Sequence, residues 1–266
     1  MKASIIQFDI IAGDIATNEK KAAYYIEKAA LEGAETVVLP ELWNCGYDLP
    51  NLPNLAQNMR GSSIRLLQKL AKKHHLFIFG GSIAEKKNNK YYNTAVIIDN
   101  EGNITAKYRK IHLFPLAIEE NKFLTSGKEW CIVDTPWGRA GQILCYDLRF
   151  PELIRNLVLR GAEMLIVPAQ WPELREKHWA VLNQVRAIEN QIFVLAANRT
   201  GSDKSGIYPG HSLIIDPWGE ILAESDNKEG IISAEIDFGI IGEAANKIPI
   251  LSDRHRILDE IDDSQI

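Results

Sequence analysis

Three residues that could supply a nucleophile, a proton acceptor and a fixed positive charge stand where the flanking sequence would hold them: Cys145, Glu41 and Lys110. The run Gly141-Gln142-Ile143-Leu144 leads into Cys145, and Pro151, a favoured first-turn residue, opens a helix six residues later. A strand–turn–helix layout presents a thiol at a sheet edge, where nearby helix amides favour a thiolate. The same layout fixes the Tyr146 backbone N–H just beyond the sulfur, where it can serve as an oxyanion donor. Taken alone, Cys145 fits a small buried hydrophobe as well as a nucleophile. Cys131 falls inside a strand-like run and reads as inert, and Cys45, in a loop, is a weaker rival.

Glu41 follows the apolar run Val37-Val38-Leu39-Pro40. That position puts a partly desolvated carboxylate at a sheet rim, where burial favours its neutral form and makes a better base. A solvated loop acid fits the position too. Lys110 lies in Lys107-Tyr108-Arg109-Lys110-Ile111-His112, a basic run that fits surface charge. If this run is a strand, His112 shares a face with Lys110 and a Cys–His pair competes with the Cys–Glu–Lys set. The sequence offers that histidine no obvious Asn or Asp partner.

Other chemistries lack their residues. The six histidines show no His-x-x-x-His spacing and there is no Cys-x-x-Cys, so no zinc site is expected. There is no Gly-rich phosphate loop, no dinucleotide fingerprint and no Gly-x-Ser-x-Gly elbow. No cofactor and no metal are expected. A net charge of −5, from 30 Lys+Arg against 35 Asp+Glu, with only short basic clusters, argues against a nucleic-acid partner. No apolar run approaches a membrane span. Three widely spaced cysteines form no disulfide framework, which points to a reducing compartment and a cytoplasmic protein.

Strand-like segments at 3–8, 36–39, 76–79, 94–99, 141–145, 164–167, 192–197, 212–216 and 231–236 alternate with helical ones at 17–31, 63–74, 151–161 and 173–190. The first helix reads with Thr17 as its cap and Gly33 as its stop. This alternation implies an α/β layered fold. A faint duplication runs through it. Gly33-Ala34-Glu35, Pro40 and Trp43 recur as Gly161-Ala162-Glu163, Pro168 and Trp171, every match offset by 128 residues. A second echo pairs Ile97-Ile98-Asp99, Gly102 and Ile104 with Ile214-Ile215-Asp216, Gly219 and Ile221. The echoes are consistent with chance recurrence of turn chemistry, or with two related halves packed sheet to sheet. Without a Pro-, Gly- or Ser-rich linker, residues 1–266 read as a single domain whose charged segment 252–266 forms a C-terminal tail.

Taken in order, several stretches resemble the nitrilase superfamily of carbon–nitrogen hydrolases. They are Leu39-Pro40-Glu41-Leu42, Tyr108-Arg109-Lys110-Ile111-His112-Leu113-Phe114 and the run Ile143-Leu144-Cys145-Tyr146-Asp147-Leu148-Arg149-Phe150-Pro151-Glu152-Leu153. Pro168-Ala169-Gln170-Trp171-Pro172, Arg186-Ala187-Ile188-Glu189-Asn190-Gln191, Asn198-Arg199 and Gly210-His211-Ser212 continue the likeness across nearly the whole chain.

The resemblance implies a four-layer α-β-β-α sandwich of two mixed sheets that pairs through its outer helices into homodimers or larger assemblies. It implies a Glu–Lys–Cys triad at Glu41, Lys110 and Cys145, acting on a small-molecule amide through a thioester. A second family glutamate falls at Glu119 or Glu120, and Glu120 fits by its spacing to Ser126-Gly127. The Cys145–Glu152 run and the Gln170-Trp171-Pro172 run are most similar to an omega-amidase branch, which deamidates short dicarboxylate monoamides. For the distal carboxylate of such a substrate the candidate clamp is Arg175, four residues past Trp171, which fits a helix-surface charge as well; Trp171 walls the pocket or fills core, while Arg149 is expected to anchor the turn or a subunit contact. Cleavage of N-carbamoyl amines or nitriles would keep the same triad. A non-catalytic scaffold would gain nothing from holding all three residues.

Overall fold

The computed structural model describes residues 1–255. Most of the expected 252–266 tail therefore lies outside the described residues. Its first two positions belong to a one-turn helix, Ile250–Asp253.

Two six-stranded sheets lie face to face. The first has the spatial order β14 (Gly230–Glu235), β1 (Lys2–Gln7), β2 (Thr36–Val38), β3 (Phe77–Lys87), β4 (Lys90–Ile98) and β5 (Ile104–Arg109). The second runs β13 (Ile221–Glu224), β12 (Leu213–Ile215), β9 (Phe193–Asn198), β8 (Met164–Ala169), β7 (Gly138–Gln142) and β6 (Cys131–Thr135). A separate hairpin joins β10 (Thr200–Asp203) to β11 (Gly206–Pro209).

Alternation along the strands decides the layers, because successive side chains point to opposite faces. From the first sheet Ala3, Ile5, Val38, Phe79 and Ile97 meet Ala140, Met164, Ile166, Leu195 and Ile214 of the second, forming the central core. Their neighbours Ile6, Val37, Ile78 and Ile98 face outward, onto Ala22 and Ile26 of helix α1 (Ile15–Leu31) and Ile64 and Leu67 of helix α2 (Ser62–His74). On the far side Leu165, Val167, Val194 and Ile215 pack on Ile154 and Leu157 of helix α3 (Pro151–Leu159) and on Trp179 and Ala187 of helix α4 (Glu176–Asn190). The result is the expected α-β-β-α sandwich.

The duplication is real in the topology. In each sheet three parallel strands stand in chain order, β1-β2-β3 and β7-β8-β9, followed by two antiparallel strands, β4-β5 and β12-β13. The echoed turns match in detail. Asp99 accepts from the N–H groups of Glu101 and Asn103, Asp216 from those of Trp218 and Glu220, and Gly102 and Gly219 share φ of +85°.

Some local expectations needed correction. The cap of α1 is Asp14, which accepts from the Thr17 N–H at 3.0 Å, so Thr17 is already inside the helix. The start of the fourth helix at 173 is a 3-10 turn, Glu173–Arg175, preceding α4. Strands β5 and β13 are at least half exposed, and β10 and β11 are four-residue strands of a separate hairpin, so these carry little apolar alternation to reveal them. No helix among the described residues is long and apolar enough to cross a membrane.

Candidate active site

Glu41 stands just past β2, where the chain turns over Pro40. The turn is tight: at Gly81, with φ of +56°, a Cβ would meet the Pro40 carbonyl oxygen at 2.0 Å, so only glycine lets β3 pass there. Lys110 follows β5, its backbone pinned by Lys110 N–H to Asn93 O at 2.9 Å and Gly127 N–H to Lys110 O at 2.8 Å. It is therefore not on a strand face with His112, as the sequence suggested. Cys145 opens a 3-10 turn, Cys145–Arg149, with φ of +44°, a backbone conformation that a non-glycine residue adopts only when the surroundings impose it.

These elements bring the predicted residues together. The Lys110 Nζ lies 2.8 Å from Glu41 Oε1 and 2.8 Å from Glu120 Oε2, with all three side chains excluded from solvent. Of the two glutamates left open, Glu120 is in the cluster. Glu119, half exposed, pairs instead with Lys122 at 2.6 Å. Glu120 also accepts from the Phe114 N–H at 2.7 Å, which ties the lysine to the 113–119 segment.

Glu41 takes four hydrogen bonds. Oε1 accepts from Asn93 Nδ2 at 2.7 Å and Lys110; Oε2 accepts from the Tyr47 hydroxyl at 2.8 Å and the Gln170 N–H at 3.0 Å. The Gln170 side chain returns to the Glu41 carbonyl at 2.9 Å, so the rim of the second sheet clips onto the rim of the first.

Charge sets the protonation states. Burial opposes a charge on Lys110, but Glu120, Glu41 and Cys145 outweigh it and hold the ammonium well above its ordinary range. Burial and the Glu41 charge push Glu120 up against the pull of Lys110. Burial, then Glu41, drive the Cys145 thiol well above its usual value, with Lys110 and the Gln170 backbone pulling the other way. The sequence suggested a stabilised thiolate; the folded chain holds a neutral thiol, because two carboxylates and burial outweigh one ammonium. Burial alone accounts for Cys131, pushed up to about 11, and is the main cause for Cys45, pushed up to about 12.

Above the sulfur lies a cavity of about 380 Å³ lined by Tyr47, Phe114, Tyr146, Trp171, Tyr208 and other mostly apolar groups. Trp171 is a wall and a core residue at once: it is 2% exposed, and its Nε1 donates to the Arg175 carbonyl at 2.7 Å. Arg175 lines the cavity, with its guanidinium 5.8 Å from the Phe114 ring centre. Arg149, expected at the turn or a subunit contact, lines it too and lies 4.7 Å over the Trp171 ring. Burial lowers the Arg149 pKa, and the Arg175 charge works in the same direction. Neither guanidinium ion-pairs with a described residue.

His112 does have an aspartate. Asp147, buried in the Cys145 turn, accepts from His112 N–H at 2.9 Å, Tyr108 OH at 2.7 Å and Leu144 N–H at 3.0 Å, and His112 Nδ1 lies 2.8 Å from it. The imidazole stacks on Phe150, ring centres 3.6 Å apart. One carboxylate thus staples the turn of Cys145 to the segment of Lys110. Tyr47, Asn93, Gln170 and Tyr208 were not picked out as site residues from the sequence. Gln170 lay within a matched motif; the others carried no local signal.

A carbon-nitrogen hydrolase family profile matches residues 2–246. The chain is 46% identical over 250 residues to the 2-oxoglutaramate amidase of Bacillus subtilis, covering 94% of this chain and 96% of that one. It is 36% identical over 241 residues to the omega-amidase NIT2 of Homo sapiens, covering 88% and 87%. Among solved structures, Saccharomyces cerevisiae Nit3, a member of branch 10 of the nitrilase superfamily, superposes with a TM-score of 0.87 at 32% identity, covering 94% of each chain.

Proposed function

The chain belongs to the carbon-nitrogen hydrolase family and is a hydrolase acting on amides, and from that premise we propose that it cleaves the terminal amide of a short monoamide acid such as 2-oxoglutaramate. The observation carrying this reading is a pair of guanidiniums, Arg149 and Arg175, without carboxylate partners among the described residues. They line an apolar cavity with Cys145, next to the buried Glu41–Lys110–Glu120 cluster. An amide bearing a distal carboxylate satisfies both ends: its carbonyl meets the sulfur, and its carboxylate supplies the anion that two neighbouring cations lack.

The steps follow from the charges. Glu41 receives the thiol proton as sulfur attacks the amide carbon. The Lys110 ammonium and the Tyr146 N–H hold the oxyanion. The proton returns to nitrogen, the C–N bond breaks, ammonia leaves and a thioester remains on Cys145. Water, deprotonated by Glu41, then adds to the thioester, the C–S bond breaks, the acid product leaves, and Glu41 returns the proton to the Cys145 sulfur. A neutral resting thiol suits this order, because proton loss and attack are coupled. Glu120 holds Lys110 in place and, through the Phe114 N–H, holds the cavity wall.

We further assign the protein to the cytoplasm, in keeping with three free cysteines, and to a homodimer or larger homo-oligomer. Val181, Val185 and Ile188 form an exposed apolar stripe at helical spacing on α4, which a second copy would cover. The deciding experiment is mass spectrometry during turnover of 2-oxoglutaramate. An acyl adduct on Cys145, absent in Cys145→Ala, is expected; full activity without an adduct defeats the covalent scheme.

A further inference from the structure

A carboxylate offers about four lone-pair sites, and at Glu41 all four are taken by Asn93, Lys110, Tyr47 and Gln170. A thiol proton arriving at this group finds no open position. Of the four donors, an ammonium and a backbone N–H can only donate. The Asn93 amide can accept only by turning end over end in a buried site. A phenol is different, because one oxygen both donates and accepts. The Tyr47 hydroxyl donates to Oε2 at 2.8 Å, and its oxygen receives no hydrogen bond from a described residue. The ring lines the same cavity as Cys145.

We propose that Tyr47 is a further catalytic residue of the hydrolysis, carrying the proton between Cys145 and Glu41. The inference rests on Glu41 being the base. As sulfur attacks, the S–H bond breaks and the proton is taken by the free side of the Tyr47 oxygen. The hydrogen already on that oxygen passes to Oε2. One proton has moved from sulfur to Glu41, tyrosine ends neutral, and its hydrogen bond to Oε2 has reversed direction with no displaced donor. When the C–N bond breaks, the same steps run backwards and deliver the proton to departing nitrogen. Burial, then the Glu41 charge, push the Tyr47 pKa well above its ordinary value, so the phenol does not ionise and stays available as a carrier.

The test compares wild type, Tyr47→Phe and Glu41→Gln on 2-oxoglutaramate, with kcat, KM and a proton inventory in H2O/D2O mixtures. Phenylalanine keeps the ring that packs there and removes only the hydroxyl. The expected result for Tyr47→Phe is a kcat lower by on the order of a hundredfold, with KM within about threefold. The curved inventory of the wild type, reporting two protons in flight, should become linear. Unchanged or faster turnover in Tyr47→Phe overturns the proposal, since direct transfer to the site vacated on Oε2 would then be easier. So does a loss confined to KM, or a slow variant whose inventory keeps its curvature. If Glu41→Gln retains activity, the base assignment itself has failed; if Glu41→Gln is inactive while Tyr47→Phe is normal, only the relay has.

Discussion

Replacing Lys110 with methionine keeps an unbranched side chain, one atom shorter, and deletes one charge, and the structure fixes what that costs. The ammonium is excluded from solvent and touches two buried carboxylates at 2.8 Å each. Removing it leaves Glu41 and Glu120 facing each other without a counter-charge. Breaking a buried pair from one side typically costs about 3–5 kcal/mol. At about 2–4 °C per kcal/mol for a chain of this size, the melting temperature should fall by roughly 6–20 °C. The loss has a pH signature. Glu120 already sits above its ordinary pKa from burial and the Glu41 charge, and Lys110 is the group pulling it down. Without the lysine its folded pKa climbs further above the unfolded value, so the variant binds a proton on folding. Its stability is then greatest at low pH and is lost as pH rises through that raised pKa. Thermal melts of both proteins from pH 5 to pH 8 should show the gap widening with pH. Turnover should drop on the order of a hundred- to a thousandfold with the proposed oxyanion donor gone. A variant whose melting temperature tracks wild type at every pH, or whose kcat stays within tenfold, would refute the account of the cluster.

Three further outcomes follow from the same geometry. Alkylation of Cys145 by iodoacetamide should be slow at neutral pH and keep rising beyond pH 9, because the thiol is held above its ordinary pKa; Glu120→Gln should speed it and Lys110→Met slow it, matching the opposite signs of their influence. Arg175→Ala and Arg149→Ala should each raise KM for 2-oxoglutaramate at least about tenfold with little change in kcat, and leave amides without a distal carboxylate unaffected; an unchanged KM in both removes the clamp. Asp147→Asn places an NH2 among groups that mostly donate, so it should cost about 1–3 kcal/mol and lower kcat, while Asp134→Asn, at an exposed ion pair, should do neither.

What the sequence made legible was whatever is carried by contiguous residues. Cys145, Lys110 and Glu41 each end an apolar or basic run, and the two halves declare themselves through Pro40 and Pro168. The roles that only contact confers were invisible. Tyr47 is six residues from Glu41 and Asn93 is 52 away, and neither is marked by its neighbours. Arg149 reads as part of a turn until Trp171 is seen beneath it. His112 lacked a partner because its aspartate is 35 residues distant, inside the turn of Cys145. The thiol departs from its local sequence signal for a related reason. A strand–turn–helix layout argues for a thiolate through local dipoles, whereas the observed proton affinity is set by two carboxylates contributed by distant segments.

The duplicated architecture explains why the site sits where it does. The parallel strands β2 and β8 occupy equivalent central places in their sheets, and each has a proline near its C-terminal end, Pro40 two residues past β2 and Pro168 as the next-to-last residue of β8. Packed face to face, the two sheets bring these ends to one rim, so the Gln170 N–H just past β8 can bond Glu41 just past β2. Equivalent positions then carry different work: the first half supplies Glu41, Lys110 and Glu120, the second supplies Cys145, Gln170 and the two arginines. Neither half holds a working site. In the first, Glu41 would lose the Gln170 donor and the sulfur; in the second, the Cys145 turn would lose Tyr108 and His112, two of the groups that tie Asp147. The chemistry therefore depends on docking between the sheets, and substitutions in the central core, such as Ile166→Ala, should disturb turnover through the distance between the two rims before they unfold the chain.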